Sequence, residues 1–407
     1  MPFIADLHIH SKYSRATSKS LDLESLDKCA RIKGIQVVGT GDFTHPAWLT
    51  HLKDNLTEED GLFRYGKTKF LLTSEISCIY SEGGKVRKIH IIVLAPSFEV
   101  VDKINSELDK IGNLKSDGRP ILGLSAKKLA EIILNISKEC LIIPAHCMTP
   151  WFGLYGSKSG FDSLEECFGD LSKEIYAVET GLSADPKMLW QIKDLDNIAL
   201  ISNSDAHSAE KLGREANVFD VELSYKGISK AIKEKNLLYT IEFFPEEGKY
   251  HYDGHRNCDL SLSPEQTKKY NNICPNCGKP LTVGVLSRVK ELAGRKSGEK
   301  PKGAIPFKSL VPLAEIIASC FNMGSSTKTV KKEYDKLIEN FENEFEILLN
   351  TTYDNLKEVV SPEIAEGIIR VREGKIELEP GYDGVFGRIN IFSKSERKNF
   401  IKQKTLF

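Results

Sequence analysis

Seven short apolar runs between Phe3 and His207 each end in, or carry, a histidine or a carboxylate, and that recurrence restricts the folds open to this chain more than any other feature. In the first, Asp6-Leu7-His8-Ile9-His10 follows an apolar opening. Alternate strand residues share a face, so Asp6, His8 and His10 should project together, with Leu7 and Ile9 behind them. Two imidazoles so placed can bind one metal ion. A pair of surface histidines on an ordinary first strand is the plain alternative. The second run ends in Gly41-Asp42-Phe43-Thr44-His45 and the third in Ser74-Glu75. The fourth opens Lys88-Ile89-His90, the fifth ends in Pro144-Ala145-His146, and the sixth carries Glu179. The seventh ends in Asn203-Ser204-Asp205-Ala206-His207. One histidine at a strand end is usually structural, but packing does not explain the whole series.

The runs at 35–40, 69–76, 89–95, 141–145, 175–180, 198–203 and 217–221 read as strands. Helical patterns lie between them at 23–33, 126–137, 164–168, 186–192 and 225–235. Such alternation predicts a parallel sheet with helices outside, either a closed or distorted barrel of seven or eight units or an open doubly wound sheet. In parallel barrels functional groups gather at the strand C-terminal ends.

A chain of 407 residues exceeds one typical core, so two or three domains are expected. The net charge of −1 excludes a uniformly basic nucleic-acid binder. Charge is nevertheless concentrated at 288–308, through Arg288, Lys290, Arg295, Lys296, Lys300, Lys302 and Lys308. That run reads equally as a phosphate-contacting surface or a solvated linker. No apolar run reaches membrane-spanning length and no secretory signal is visible, so a cytoplasmic protein with no membrane partner is expected. Nine cysteines in that setting suggest reduced thiols and metal ligation. Cys147, next to His146, reads as a core thiol.

The composition changes after 244, giving an α/β unit over 1–244, a polar His- and Cys-rich module over 245–288, and a mainly helical domain with a basic connector over 289–407. In the module, Cys274-Pro-Asn-Cys277-Gly278 is a zinc-knuckle signature, and His255-x-x-Cys258 supplies a second knuckle of the same spacing. The spacing favours His255 over His251. Four protein ligands make a closed, structural Zn²⁺ site. In the last domain one apolar stripe runs over 331–349, and Ser361-Pro362-Glu363 opens another helix reaching about 372.

The strand-end motifs, Asp6-Leu7-His8-Ile9-His10, Asp42 with His45, Glu75, His90, His146 and Ser204-Asp205-Ala206-His207, resemble the polymerase and histidinol phosphatase (PHP) superfamily. The resemblance covers roughly the first 243 residues. It implies a distorted (β/α)7 barrel holding two or three divalent ions (Zn, Mn or Mg). By position, His8, His10, Glu75 and Asp205 would hold one ion, and Glu75, His90 and His146 a second. Asp42 or His45, with His207, would be left for a third. Arg15 stands where the superfamily commonly has a further Asp or His. Arg15 and Lys12 are candidates to neutralise phosphate oxygens, and Glu179 to support a ligand. The implied chemistry is attack of metal-activated water on phosphorus, with His8, His10, Asp205 and Arg15 as the catalytic set.

Gly248-Lys249-Tyr250-His251-Tyr252-Asp253-Gly254-His255-Arg256, the cysteine knuckle, Leu281-Thr282-Val283-Gly284-Val285 and Glu379-Pro380-Gly381-Tyr382-Asp383-Gly384 resemble, more narrowly, the endonuclease Q family of DNA repair enzymes. That resemblance implies cleavage 5′ to uracil, hypoxanthine, xanthine or an abasic site, in damaged duplex or single-stranded DNA. It also implies an archaeal or bacterial, nucleoid-associated setting, with a sliding clamp or other repair proteins as candidate partners. A base turned out of the stack needs aromatic faces and a few polar groups. Trp151, Phe152 and Tyr155 after His146, and Tyr80 and Arg87 before His90, are the candidates. A small-molecule phosphoesterase of the histidinol phosphatase type is the competing reading, and it leaves the cysteine module unexplained.

Overall fold

The computed structural model describes residues 1–393 and Glu396. It is a mixed α/β structure built on one large sheet. The strands used below are β1 (Phe3–Asp6), β2 (Val37–Gly39), β3 (Thr68–Glu82), β4 (Lys85–Ala95), β5 (Leu141–Pro144), β6 (Ala177–Glu179), β7 (Ala199–Ile201), β8 (Ala216–Phe219), β9 (Tyr239–Glu242) and β10 (Phe307–Ser309). Strand order runs β10-β9-β8-β1-β2-β3, then β4 and β5. The β6–β7 pair lies between the two ends. Cys147 N–H donates to Glu179 O at 2.9 Å, and the Ser202 hydroxyl donates to Ile241 O at 3.0 Å.

The sheet is not the parallel one that strand-helix alternation predicts. β1–β2, β2–β3, β6–β7 and β9–β10 are parallel. β1–β8, β8–β9, β3–β4 and β4–β5 are antiparallel. The run read as ending at 76 continues to Glu82, turns through Gly83 and Gly84, both at positive φ, and returns as β4. A two-glycine turn between apolar runs is a hairpin signal, and the twelve residues between the two runs as read are used in extending both strands to that turn.

The helical stripe at 331–349 also divides, into Lys328–Asn340 and Glu344–Leu349. Asn343 interrupts it by capping the second helix, its side chain accepting from Glu346 N–H at 2.9 Å. The later helix, Pro362–Arg372, starts after Ser361 with proline in its first turn. The hydrophobic core is continuous from Ile76 and Ile91 of the sheet to Val289, Leu313, Ile316 and Ile368 of the C-terminal half. Part of the basic run is used inside the molecule. Arg288 donates to Tyr155 O and Phe161 O and pairs with Asp162, and Arg295 pairs with Asp196. Among the described residues no helix is long and apolar enough to cross a membrane.

The sheet encloses acids as well as apolar side chains. Glu242 is fully buried and accepts hydrogen bonds from the hydroxyls of Thr240, Thr180 and Ser202. Burial pushes its carboxyl up to about 8, against the opposing pull of those hydroxyls. A folded-state value above the ordinary 4.5 means that the folded chain holds a proton the unfolded chain has lost, so stability should fall as pH rises from 4.5 to about 8. Glu242→Gln keeps the neutral shape. It should melt higher than the parent at about pH 9 and no higher at about pH 5, flattening the pH dependence. Thermal unfolding at the two pH values checks this, and an equal shift at both would contradict it.

Candidate active site and metal centres

His8 and His10 follow the end of strand β1 and are both buried, as are Leu7, which joins one apolar core cluster, and Ile9, which joins the other. Asp6 does not join the histidines. Its two oxygens accept from Ser204 N–H at 3.1 Å and Gly213 N–H at 2.8 Å, which pins the loop carrying Asp205. One Glu75 oxygen lies 3.6 Å from His8 Nε2 and 3.3 Å from His10 Nε2. Asp205 Oδ1 lies 3.7 Å and 3.0 Å from the same two nitrogens. The other Glu75 oxygen lies 2.6 Å from His90 Nδ1 and 3.3 Å from His146 Nε2. Two groups therefore share one carboxylate, His8–His10–Glu75–Asp205 and Glu75–His90–His146. Within each, one ligand atom per residue lies within 4.8 Å of every other.

Asp42 at φ 49°, His146 at 30° and Asp205 at 47° adopt left-handed backbone that side chains other than glycine disfavour, as does Phe152 at 68°. Strain of this kind concentrates at functional sites, where surrounding contacts enforce it. Gly181 shows the enforcement, since a Cβ there would sit 2.6 Å from the His146 Cβ.

The His8 and His10 rings are oriented from behind. Glu179 accepts from His8 Nδ1 at 3.0 Å, from His146 N–H at 2.8 Å and from Asn203 at 3.0 Å. Asp42 accepts from His10 Nδ1 at 3.0 Å and from Ser11 and Ser14. Carboxylates behind ligand histidines fix tautomer and orientation. Burial disfavours charge on His8, yet Glu179, Glu75 and Asp205 outweigh it and hold its pKa well above the ordinary value. Glu75 is likewise buried, yet His90, Arg119 and His8 hold its carboxyl well below the carboxylate range. Four carboxylates, Glu75, Asp205, Glu179 and Asp42, thus stand around the His8 and His10 rings. His8 Nε2 is buried with no hydrogen-bond partner and faces both Glu75 and Asp205. Imidazole and carboxylate donors around an orphaned nitrogen fit divalent cations.

The other predicted residues divide. Asp42 spends both oxygens on His10, Ser11 and Ser14. His45 begins the helix Pro46–Asn55 and stacks on Tyr13 at 4.4 Å. His207 packs on His10 at 4.6 Å with Nδ1 against Asp205 O. These three are not brought together as a third group. Arg15 is largely exposed, paired with Asp117 at 3.2 Å, at the cavity mouth. Trp151 and Phe152 line that cavity of about 640 Å³, Phe152 4.3 Å from His90. Tyr155 does not reach it: the ring is fully buried and its hydroxyl donates to Asp194 at 2.7 Å. Arg87 lies 3.9 Å from the Phe161 ring and holds Gly160 O, so it supports the 147–161 loop, and neither it nor its strand partner Tyr80 lines the cavity. Cys147 is a buried thiol, and burial raises its pKa strongly.

Sequence reading missed Arg119, which donates to Glu75 at 3.0 Å and lines the same cavity. An isolated arginine in a loop carries no spacing signal. It also missed a second cavity of about 710 Å³, walled by His146, Asp205, Arg214, Lys249 and Tyr250, that opens onto the same groups.

In the small module His255, Cys258, Cys274 and Cys277 converge, with ligand atoms within 4.8 Å of one another. His255 rather than His251 takes part; His251 is buried elsewhere, against Tyr252. The module's own core is only Leu262, Cys274 and Leu281.

Residues 312–375 match the family model for the MJ0043 C-terminal domain. An uncharacterised protein of Methanocaldococcus jannaschii, MJ0043, is 39% identical over 60% of this chain, a match spanning 31% of that longer protein. The uncharacterised protein YqxK of Bacillus subtilis is 30% identical over 95% of this chain and 98% of its own length. The crystal structure of the lesion-specific endonuclease PfuEndoQ from Pyrococcus furiosus superposes with a TM-score of 0.86 and 33% identity, covering 98% of this chain and 99% of that one. An endonuclease Q bound to a 27-mer duplex substrate with an abasic lesion at the active site gives 0.87 and 34%, covering 97% and 98%. With identity of this size along nearly the whole of both chains, the protein belongs to the endonuclease Q family of PHP enzymes.

Proposed function

We propose that this protein is a metal-dependent DNA repair endonuclease. It would hydrolyse the phosphodiester on the 5′ side of a deaminated base (uracil, hypoxanthine or xanthine) or an abasic site, leaving a 3′-hydroxyl and a 5′-phosphate. One observation carries the reading: Glu75 is shared between two imidazole-carboxylate groups, in a chain that follows a lesion-specific endonuclease over 98% of its length.

His8, His10, Glu75 and Asp205 would hold one divalent ion, and Glu75, His90 and His146 a second. Such ions lower the pKa of an attacking water and neutralise phosphate oxygens. The chain's own residues set the geometry. Glu179 and Asp42 hold the Nδ1 atoms of His8 and His10, so both Nε2 atoms face inward. Arg119 keeps one nitrogen on Glu75 and lines the cavity, where its fork suits a non-bridging phosphate oxygen. Arg15, at the mouth of that cavity, would meet the phosphate chain farther out. Trp151, 5.7 Å from Tyr250, offers a stacking face for a nucleotide turned out of the helix.

The accompanying layout is a distorted seven-unit PHP barrel over 1–244, a module over 245–288 folded by one structural Zn²⁺, and a helical domain over 289–407, part of which lies outside the described residues. The histidinol phosphatase alternative gives the closed Cys/His cluster no role. Duplexes carrying one uracil, hypoxanthine or abasic site test the proposal beside undamaged DNA and histidinol phosphate. The expected result is a lesion-strand nick that requires a divalent ion. Hydrolysis of the small phosphate alone would reject it.

A further inference from the structure

Among the described residues no phenylalanine is as exposed as Phe386, at 59%. Val385 beside it is exposed as well. The two form a contiguous apolar patch at a cavity rim, and exposed apolar patches mark interaction sites.

The turn that carries Phe386 is held rigidly on two sides. On one side, Gly381 N–H donates to Glu246 O at 2.7 Å, Gly384 N–H to Lys249 O at 2.9 Å and Gly387 N–H to Glu247 O at 3.0 Å. The approach is close enough to require glycine: a Cβ on Gly387 would lie 2.1 Å from Glu246 O. On the other side, Asp383 accepts from Arg256 N–H at 2.7 Å, and the Tyr382 hydroxyl donates to Asp259 at 2.6 Å. Arg256 and Asp259 flank Cys258 of the Cys/His cluster. Phe386 thus stands on a ledge braced by that module, and it borders the 710 Å³ cavity that also contains His146 and Asp205. Lys249 Nζ lies 4.4 Å from the ring centroid, which puts a cation beside the exposed ring.

A nucleotide that leaves the stack to reach the metal groups leaves a gap one base step wide. Proteins that unstack DNA fill such gaps with apolar side chains. We propose that Phe386 enters the duplex at the position vacated by the lesion nucleotide, with Lys249 against an adjacent phosphate and the Cys/His module fixing the ring's position. This assignment rests on the endonuclease reading above. Insertion has a specific consequence: the ring matters where there is a stack to replace, and not where the strand is already single.

The test compares the full-length protein with Phe386→Ala and Phe386→Trp on one abasic-site oligonucleotide, presented as duplex and as single strand. Phe386→Ala should lower the duplex-to-single-strand ratio of kcat/KM about tenfold, the scale of one aromatic-base stack. Phe386→Trp should largely restore it. A 2-aminopurine opposite the lesion should brighten less with Phe386→Ala than with the parent protein. A ratio unchanged in Phe386→Ala, whether both rates hold or both fall together, overturns the insertion. A parent protein that nicks neither form rejects the endonuclease reading itself, and the insertion with it.

Discussion

His8→Ala, and separately Asp205→Ala, should reduce DNA nicking by more than about 100-fold while leaving lesion-duplex affinity within a few-fold of the parent. The bound comes from the supporting residues: changing an outer partner of a ligand histidine typically costs about 10–100-fold, and a ligand itself should cost more. Glu179→Gln therefore serves as the calibrating variant and should fall inside that range. The two alanine variants act on one group, since both residues stand against His10 and Glu75, so His8→Ala with Asp205→Ala should be little worse than either alone. Bound divalent metal should drop in parallel. Single-turnover nicking, a binding titration and metal analysis on the same preparations check this. Full activity in either single variant would reject the ligand assignment.

Cys274→Ser combined with Cys277→Ser should remove one zinc per chain and unfold residues 253–282 locally while the sheet persists. The reason is size. A core of Leu262, Cys274 and Leu281 cannot offset the conformational entropy of a segment this long, and such modules fold only with their metal. Hydrogen exchange should become fast across the Asp253–His255 and Leu260–Leu262 pairing and remain slow in the sheet hairpin. Loss of the module also releases Asp383 and Tyr382 from their partners, so duplex binding should weaken more than single-strand binding. Unchanged zinc content after the double substitution would show that the cluster is not the site.

The sequence exposed these residues because each sits in a local pattern. Alternation placed His8 with His10, and the Cys-Pro-Asn-Cys-Gly turn placed two thiolates together. Both patterns depend only on neighbours in the chain. Glu75, His146 and Asp205 were readable because each lies at the close of an apolar run, and His90 because it opens one. What the sequence concealed depends on chain direction and side-chain facing. The hairpin between β3 and β4 reversed a strand that alternation alone made parallel. Asp6 has the same spacing as His8 and His10, yet it faces two backbone amides instead of the ligand cluster. Tyr155 and Trp151 belong to one aromatic stretch, but Tyr155 turns into the core towards Asp194 and Trp151 into the cavity. Arg119 became visible only once the fold brought its loop to Glu75.

The central claim is hydrolysis at phosphorus on the 5′ side of the lesion, with the base left in place. The groups around Glu75 are imidazoles, carboxylates and the Arg119 guanidinium, while the Lys249 amine lines both cavities, so the product ends decide between hydrolysis and a covalent route through the sugar. Mass spectrometry of both product strands from a single-uracil duplex is the most direct measurement. Hydrolysis by the proposed route gives an upstream strand ending in a 3′-hydroxyl that a polymerase extends, and a downstream strand with a 5′-phosphate that still carries uracil. Free uracil, a sugar fragment on the upstream 3′ end, or a protein–DNA adduct trapped by borohydride would contradict it.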